Sequence, residues 1–347
     1  MTASAFLALP GAVSAEAPDL GVAWHYGDPS AEQRALLEAC GVVDRSHRDV
    51  LVVPGEDRLS WLHAITSQHL EALADGRGSE ALVLDPNGRV EHDLQLAHVD
   101  GSVWIDTEPG RGADLLGYLQ KMRFLSRVEP ALVTETYAAL SLAGPATDAT
   151  LAAAALPVPG AAPYDVARDA EVIARRMAWP SASAVDLLVA RARFDAVAAR
   201  LREAGARPAG TWAWEAERVA AGVPRLGCET DHRTIPHEVD WVAIPERPHA
   251  PVHLDKGCYR GQETVARVQN LGRPPRRLVL LHLDGSDDLL PSHGDQVLLD
   301  GRSVGFVGTA ARHLELGPIA LAVIKRQVPD DAALVVAGIA AQVDTAA

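Results

Sequence analysis

The stretch Lys256-Gly-Cys-Tyr-Arg-Gly-Gln-Glu263 places one cysteine between glycines, next to a phenol and close to two cations. A structural cysteine usually has apolar neighbours, whereas nearby cations favour the reactive thiolate form. Gly257 and Gly261 tolerate positive φ angles and the close approach of a ligand or another backbone. The residue chemistry therefore predicts a functional thiol at Cys258, with an ordinary turn as the alternative.

The octapeptide resembles the signature Lys-Gly-Cys-Tyr-x-Gly-Gln-Glu of the YgfZ-type folate-binding proteins, which are relatives of the glycine-cleavage aminomethyltransferase (T-protein). Other segments match the family in the same order, at residues 41–46, 61–62, 66–68, 222–225 and 235–238. The resemblance covers roughly residues 24 to 347.

This resemblance implies an α+β protein with three domains around a central folate cavity. The first domain would be discontinuous and would combine residues 24–130 with residues 211–273. The second, an α+β domain, would span residues 131–210, and a small C-terminal β-barrel domain would span residues 274–347. Residues 1–23 are interpreted as a loose N-terminal leader. The stretch resembles a signal peptide, but it has no basic residue before its short apolar part, which argues against secretion.

Hydrophobic patterns in the first half predict two helices and a hairpin. A capping box at Ser30 opens a helix that Gly41 closes, and apolar residues at helical spacing predict a second helix over residues 57–73. Two strand-like runs flank the turn at residues 85–88, which predicts a β-hairpin.

The second half of the sequence predicts a mixed region followed, beyond Pro274, by strands alone. Strands and helices alternate between residues 131 and 210, and a helix is predicted at residues 212–221. The region from there to the octapeptide is irregular and rich in proline. Beyond Pro274, short alternating runs and the turn Asp300-Gly301 predict a small barrel or a two-layer β domain.

Length and charge restrict the possible functions. A chain of 347 residues exceeds what one hydrophobic core normally supports, so two or three domains are expected. With 32 Lys and Arg against 46 Asp and Glu, the net charge is −14. This charge repels a polyanion, which argues against broad nucleic-acid binding.

Three cysteines are too few for a disulfide framework in a chain of this length, so a reducing, cytoplasmic location is expected. The longest apolar region, residues 151–162, contains Pro157, Pro159 and Gly160. These residues are incompatible with a membrane-spanning helix, so no membrane partner is expected.

One segment is strongly basic in this acidic chain. Between Lys256 and Arg277 there are six basic residues and one acid, Glu263, which gives a net charge of +5. Arginine forks suit carboxylate and phosphate groups, so the tail of a folate would fit here. A solvated linker between domains is the alternative.

Two aspartates are candidates for contacts with a pterin. Asp93 lies on a predicted strand whose Leu94 and Leu96 face the other way, and in T-protein the matching aspartate lies near the reactive folate nitrogens. Asp186 interrupts an apolar run, and two hydrogen bonds from a pterin would satisfy such an acid. The glycine-rich stretch that precedes this acid in T-protein is replaced here by residues 179–182.

Arg218 could pair with Glu215 on the surface of a helix, or could lie close to the ligand cavity as the matching family residue does. The resemblance implies that Cys258 is the working thiolate. Lys256 is predicted with it as a catalytic residue, because the charges of Lys256 and Arg260 would lower the thiol pKa. The predicted folate-binding residues are Asp93, Asp186, Arg218, Tyr259, Arg260, Gln262, Glu263 and Arg267.

No metal site is expected. His249 and His253 have helical spacing, but Pro248 and Pro251 make a helix improbable there, and no CxxC motif occurs. The chain also lacks a P-loop, a GxSxG elbow and an HExxH motif.

The resemblance implies a tetrahydrofolate-binding protein, or one that binds a one-carbon derivative, that supports assembly or repair of iron–sulfur enzymes through a thiolate at Cys258. Reduced folate and iron–sulfur client proteins would be its partners. One alternative is a folate-dependent aminomethyltransferase or demethylase, which needs a carboxylate near the folate nitrogens. Another is a non-catalytic scaffold for an iron–sulfur partner.

Overall fold

The structure, a computed structural model, describes residues 4–286 and 288–345. Its helices are α1 (Pro29–Glu38), α2 (Arg58–Ile65), α3 (Gly112–Lys121), α4 (Thr147–Ala153), α5 (Phe194–Glu203), α6 (Thr211–Ala220) and α7 (Gln262–Leu271). The chain divides into two compact units. Unit 1 comprises Met1–Val83, His92–Trp214 and Asp255–Tyr259, and unit 2 comprises Leu84–Glu91, Glu215–Leu254 and Arg260–Ala347.

Two sheets form the body of unit 1. The five-stranded sheet has the order β5-β6-β7-β4-β8, and the six-stranded sheet has the order β10-β11-β12-β9-β3-β13. The strands of unit 1 are β1 (Val13–Ser14), β2 (Ala23–His25), β3 (Gly41–Asp44), β4 (Asp49–Pro54), β5 (Arg77–Leu84), β6 (Val90–Val99), β7 (Ser102–Thr107), β8 (Ala131–Leu132), β9 (Tyr137–Ala143), β10 (Val166–Arg168), β11 (Val172–Arg176), β12 (Val185–Ala190) and β13 (Arg207–Ala209).

Apolar faces stack unit 1 into layers. Helices α2 and α3 pack on one face of the five-stranded sheet, where Leu62 and Leu115 join Leu94 in a buried cluster. Helices α4 and α5 cover the outer face of the six-stranded sheet. The inner faces of the two sheets meet through small and branched side chains, among them Ala97 and Ile173. Strand alternation therefore sends every second residue of β6 between the sheets.

A closed six-stranded barrel forms most of unit 2. Its strands are β14 (Arg276–Leu283), β15 (Gln296–Leu299), β16 (Arg302–His313), β17 (Gly317–Lys325), β18 (Leu334–Val336) and β19 (Ile339–Val343), in the order β14-β17-β16-β15-β18-β19. Asp300 and Gly301 both have positive φ angles, as the predicted hairpin turn requires. The predicted α+β fold with a C-terminal β-barrel is confirmed. The division into three domains stays a prediction.

Two local predictions were wrong, and one helix was not predicted. Helix α1 begins after Asp28, whose side chain accepts from the Ala31 N–H, so Ser30 is not its cap. Helix α2 ends at Ile65 because Thr66 is extended, so the predicted continuation to residue 73 fails. Helix α7 (Gln262–Leu271) was not predicted, and its start at Gly261 carries few of the usual cap signals.

In the described part of the chain, no helix has both the length and the apolar character needed to cross a membrane.

Candidate functional site

Asp93 lies on β6 and points between the two sheets of unit 1. Leu94 and Leu96 occupy the opposite face of the strand and join the apolar cluster beneath α2 and α3. Asp93 and Gln95 are both 8% exposed and share the inner face with Ala97. The strand pattern therefore places a carboxyl and an amide between the two sheets.

Glu80 lies on β5, the neighbour of β6 in the sheet, and its carboxyl interacts with that of Asp93. The two side chains share a hydrogen bond, and the Tyr164 hydroxyl donates to Glu80 Oε2 at 3.3 Å. Burial raises the pKa of Glu80 to about 7. Burial and then the charge of Glu80 raise the pKa of Asp93 well above its ordinary value. Glu80 as a residue is partly exposed, but its carboxyl end is desolvated.

Two buried arginines neutralise the other acids of this inner layer. Arg48 donates to Asp106 Oδ2 at 2.9 Å and to Glu108 Oε1 at 2.7 Å. Arg175 donates through Nη2 to Asp106 Oδ1 at 2.8 Å and to Asp186 Oδ2 at 3.1 Å. Burial opposes ionisation of Asp106, but Arg175 and Arg48 hold its pKa below the ordinary value. The positive charges of Arg48 and Arg175 also act on the pair of Asp93 and Glu80, where they offset part of the rise in pKa.

Three polar atoms of this layer have no conventional hydrogen-bond partner among residues 4–286 and 288–345. They are Asp93 Oδ1, Gln95 Oε1 and Arg175 Nη1, and all three are buried. Two are acceptors and one is a donor. Unsatisfied buried polar atoms are rare and costly, so these atoms mark a place where a polar ligand would lower the free energy.

Asp186 lies at the edge of the same layer. Strand register places it opposite Arg175 on one side and Ser141 on the other. Ser141 donates to Oδ1 at 2.6 Å and Arg175 to Oδ2 at 3.1 Å, so each carboxylate oxygen already accepts one bond. Its role as a pterin ligand stays a prediction.

Lys256 of the octapeptide is buried in unit 1 and caps the end of α2. Its Nζ donates to the backbone carbonyls of His63 and Thr66 and lies 4.7 Å from the Tyr259 ring centroid. A cation suits these last helix carbonyls. Burial lowers the pKa of Lys256 to about 8 and raises that of Tyr259 to about 12. Cys258, between them, is exposed.

The remainder of the octapeptide belongs to unit 2. Arg260 donates to Glu91 Oε2 at 2.8 Å, and Gln262, Glu263 and Arg267 lie on α7. Glu263 and Arg267 are exposed. Their predicted contacts with a folate stay predictions.

Gly261 is required by backbone geometry. Its φ is +84°, and a Cβ there would lie 2.6 Å from the Asp85 carbonyl oxygen and 2.9 Å from Gly88 Cα. We expect Gly261→Ala to lower the free energy of unfolding by about 2–4 kcal/mol, from left-handed strain and backbone overlap. Gly257→Ala is the matched control, because the nearest atom to its Cβ would be 3.8 Å away. Urea unfolding measures both; equal losses would contradict this account of the motif's second glycine.

Arg218 is saturated by protein acceptors within unit 2. Its guanidinium donates to Glu215 Oε2 at 2.9 and 2.8 Å, to Glu229 Oε2 at 3.0 Å and to Thr309 Oγ1 at 2.6 Å. The Val223 carbonyl accepts a further bond. The residue is 2% exposed. These contacts favour the ion-pair alternative, in a buried form rather than on a helix surface.

The basic segment is largely compensated by distant acids. Arg276 binds Asp231 and Glu238, each through contacts of 2.7–3.0 Å, and Arg277 pairs with Asp330 at 2.5 Å. With Arg260 bound to Glu91 and Lys256 bound to carbonyls, the +5 count overstates the charge available to an anion.

Comparisons with known proteins identify the family. The family model described as the GCVT N-terminal domain matches residues 6–243. The chain belongs to the GCVT family. An aminomethyltransferase of Thermus thermophilus is 30% identical over 283 residues, which is 80% of this chain and 76% of that protein. This confirms the predicted membership of the aminomethyltransferase superfamily.

Other GCVT-family comparisons agree. A putative chloroplastic transferase of Arabidopsis thaliana is 26% identical over 76% of this chain, and the match spans only 60% of that relative's length. The crystal structure of the glycine cleavage system aminomethyltransferase T of Bartonella henselae superposes with a TM-score of 0.85 and 18% identity. It covers 97% of this chain and 94% of that one, which shows that the fold is shared.

Sequence reasoning missed most of the polar layer of this GCVT-family chain. The residues it did not single out are Arg48, Glu80, Gln95, Asp106, Glu108, Tyr164 and Arg175. One signal was available, because Arg175 and Asp106 each interrupt an apolar strand, as Asp186 does. In the described ranges, no group of three or more His, Cys, Asp or Glu side chains is placed to hold a metal ion.

Proposed function

We propose that this chain binds tetrahydrofolate, or a one-carbon derivative of it, and acts as a folate-dependent aminomethyl or one-carbon transferase. The observation that carries the proposal is the desolvated carboxyl of Asp93 with unsatisfied polar atoms around it. Family membership supports the same function, since the Thermus relative is an aminomethyltransferase.

The unsatisfied atoms fit a pterin. A pterin presents an amino group and ring N–H donors beside a carbonyl acceptor, and the layer offers Asp93 Oδ1 and Gln95 Oε1 as acceptors and Arg175 Nη1 as a donor. The bound folate would supply the nitrogen that carries the one-carbon unit.

The chain's own residues would bind and orient the ligand and hold a proton beside it. The two sheets exclude water from the inner layer, which strengthens each polar contact made there. Asp93 provides the carboxyl that the aminomethyltransferase alternative requires. A raised carboxyl pKa is suited to proton transfer near neutral pH.

The test is calorimetric titration with tetrahydrofolate, followed by an assay of methylenetetrahydrofolate formation from an aminomethyl donor. We expect Asp93→Asn to lose about a hundredfold or more in transfer rate, the usual scale of an acid–base group. Asp195→Asn is the matched control, because Asp195 is exposed on α5. No binding at millimolar tetrahydrofolate, or full transfer activity in Asp93→Asn, would reject the proposal.

The octapeptide supports a second candidate, the YgfZ-type role in assembling or repairing iron–sulfur enzymes. Cys258 is exposed, so its thiol can meet a client protein. Loss of client-enzyme activity in Cys258→Ser, with Asp93→Asn unaffected, would favour this role. Full complementation by Cys258→Ser with unchanged binding of the client would favour a scaffold.

The same proposal includes the cellular location and the domain organisation. A cytoplasmic location is supported by three cysteines, all free, which suit a reducing compartment. The three-domain division at residues 130, 210 and 273 is supported by the confirmed C-terminal barrel.

A further inference from the structure

We infer that Glu80 is a positioning residue that keeps a shared proton on Asp93 and receives that proton when Asp93 accepts one from a protonated nitrogen of the ligand. This inference rests on the proposed function, because it concerns the same site. It adds a residue outside the predicted set.

The geometry requires a shared proton. Asp93 and Glu80 are hydrogen-bonded partners on neighbouring strands, yet two carboxylates have only acceptor atoms. The bond therefore exists only when one carboxyl is protonated. The Tyr164 hydroxyl donates to Glu80, as does the Gln95 side chain, so Glu80 is the acceptor and Asp93 carries the proton.

The surrounding charges leave this pair with one negative charge. The charged and titratable groups that act on it are Arg48, Glu108, Tyr164 and Arg175. The two arginines also bind the acids Asp106, Glu108 and Asp186. A singly charged carboxyl pair in a desolvated layer attracts a monocation, and an ammonium-type nitrogen also supplies the donor that Asp93 lacks.

The proton step balances without another reactant. The N–H bond of the cationic nitrogen breaks, and an O–H bond forms on the Asp93 oxygen that does not face Glu80. The shared proton leaves Asp93, and an O–H bond forms on Glu80. Cation and carboxylate are both neutralised, and the reverse step returns the proton. A pKa of about 7 suits Glu80 to take and release a proton at neutral pH.

The experiment is a carbon-13 NMR titration of labelled Asp and Glu side chains in the free protein, with signals assigned from Asp93→Asn and Glu80→Gln. We expect Asp93 to remain protonated at neutral pH in the natural chain. In Glu80→Gln its midpoint should fall by about one pH unit or more, at least tenfold in acidity, because the like charge is removed. Glu171→Gln is the matched control, since Glu171 pairs with Arg193 and Arg200 outside the layer.

A charged Asp93 at neutral pH in the natural chain, or an unchanged midpoint in Glu80→Gln, would overturn the inference. Should Glu80→Gln not fold, Glu80→Asp keeps a carboxyl and should preserve a raised Asp93 midpoint; an ordinary midpoint there also counts against it. The titration needs no ligand, so failure to bind tetrahydrofolate would reject the proposed function separately.

Discussion

Replacing Arg218 with methionine is expected to lower the free energy of unfolding by about 3–5 kcal/mol, because it removes the cation that pairs with both Glu215 and Glu229. Glu215 keeps a second, longer pair with Arg225 at 3.5 Å. Arg218 is 2% exposed, and it binds both Glu215 and Glu229. Methionine approximates the length of the side chain but provides no donor. The Glu229 carboxylate, which is fully buried, would then be desolvated without its strongest partner.

Urea unfolding followed by tryptophan fluorescence measures this loss, since Trp212 and Trp214 lie at the start of the same helix. Arg267→Met is the matched control and should change stability by no more than about 0.5 kcal/mol, because Arg267 is exposed. Adding Glu229→Gln to Arg218→Met should recover part of the loss. A natural stability in Arg218→Met would contradict the assigned ion pairs.

Replacing Arg175 with methionine is expected to lower the free energy of unfolding by about 2–4 kcal/mol near pH 7.5. The loss is somewhat smaller than for a buried ion pair that loses its only cation, because Asp106 retains Arg48 and Asp186 retains Ser141. The loss should shrink as the pH falls. Arg175 and Arg48 lower the pKa of Asp106, so this carboxylate stabilises the natural fold above its unfolded pKa of about 4 and less below it.

Removing Arg175 raises the Asp106 pKa, so the variant can relieve the uncompensated charge by taking up a proton. The difference in unfolding free energy between the variant and the natural protein is therefore largest at pH 7–8 and smaller towards pH 5. Unfolding curves across this range check the sign. Arg168→Met serves as the control, since Arg168 pairs with a mostly exposed Asp100 and should change little at any pH. A deficit that grows as the pH falls would contradict the assigned ion pairs.

Local pattern was sufficient for much of the fold. The hairpin of β5 and β6 and the barrel strands were predicted from alternation and turn residues, which act over a few positions. Helix α7 was missed because its first residue is preceded by a left-handed glycine and no side chain caps it. The end of α2 was missed because Leu70 and Leu73 continue the helical spacing after the backbone has become extended.

The residues of the candidate site likewise divide into those that local sequence predicts and those that only tertiary contacts identify. Asp93 could be placed on the inner face of its strand because alternation determines side-chain direction, and the octapeptide led to the family. Glu80 could not be recognised, because its importance depends on Asp93 in the neighbouring strand and on Tyr164 from a distant segment. The arginines likewise acquire their roles from partners between 11 and 69 positions away.

The sequence by itself determined the family, the strand and turn pattern and the presence of an unusual thiol at Cys258, since these depend on residues adjacent in the chain. The tertiary structure decided which charges remain available. It bound Lys256 to helix carbonyls and Arg276 to two acids, and it brought Glu80 to Asp93 beside two arginines that also pair with other acids. Ionisation depends on desolvation and on charges within a few ångströms, and both arise only when distant segments pack together.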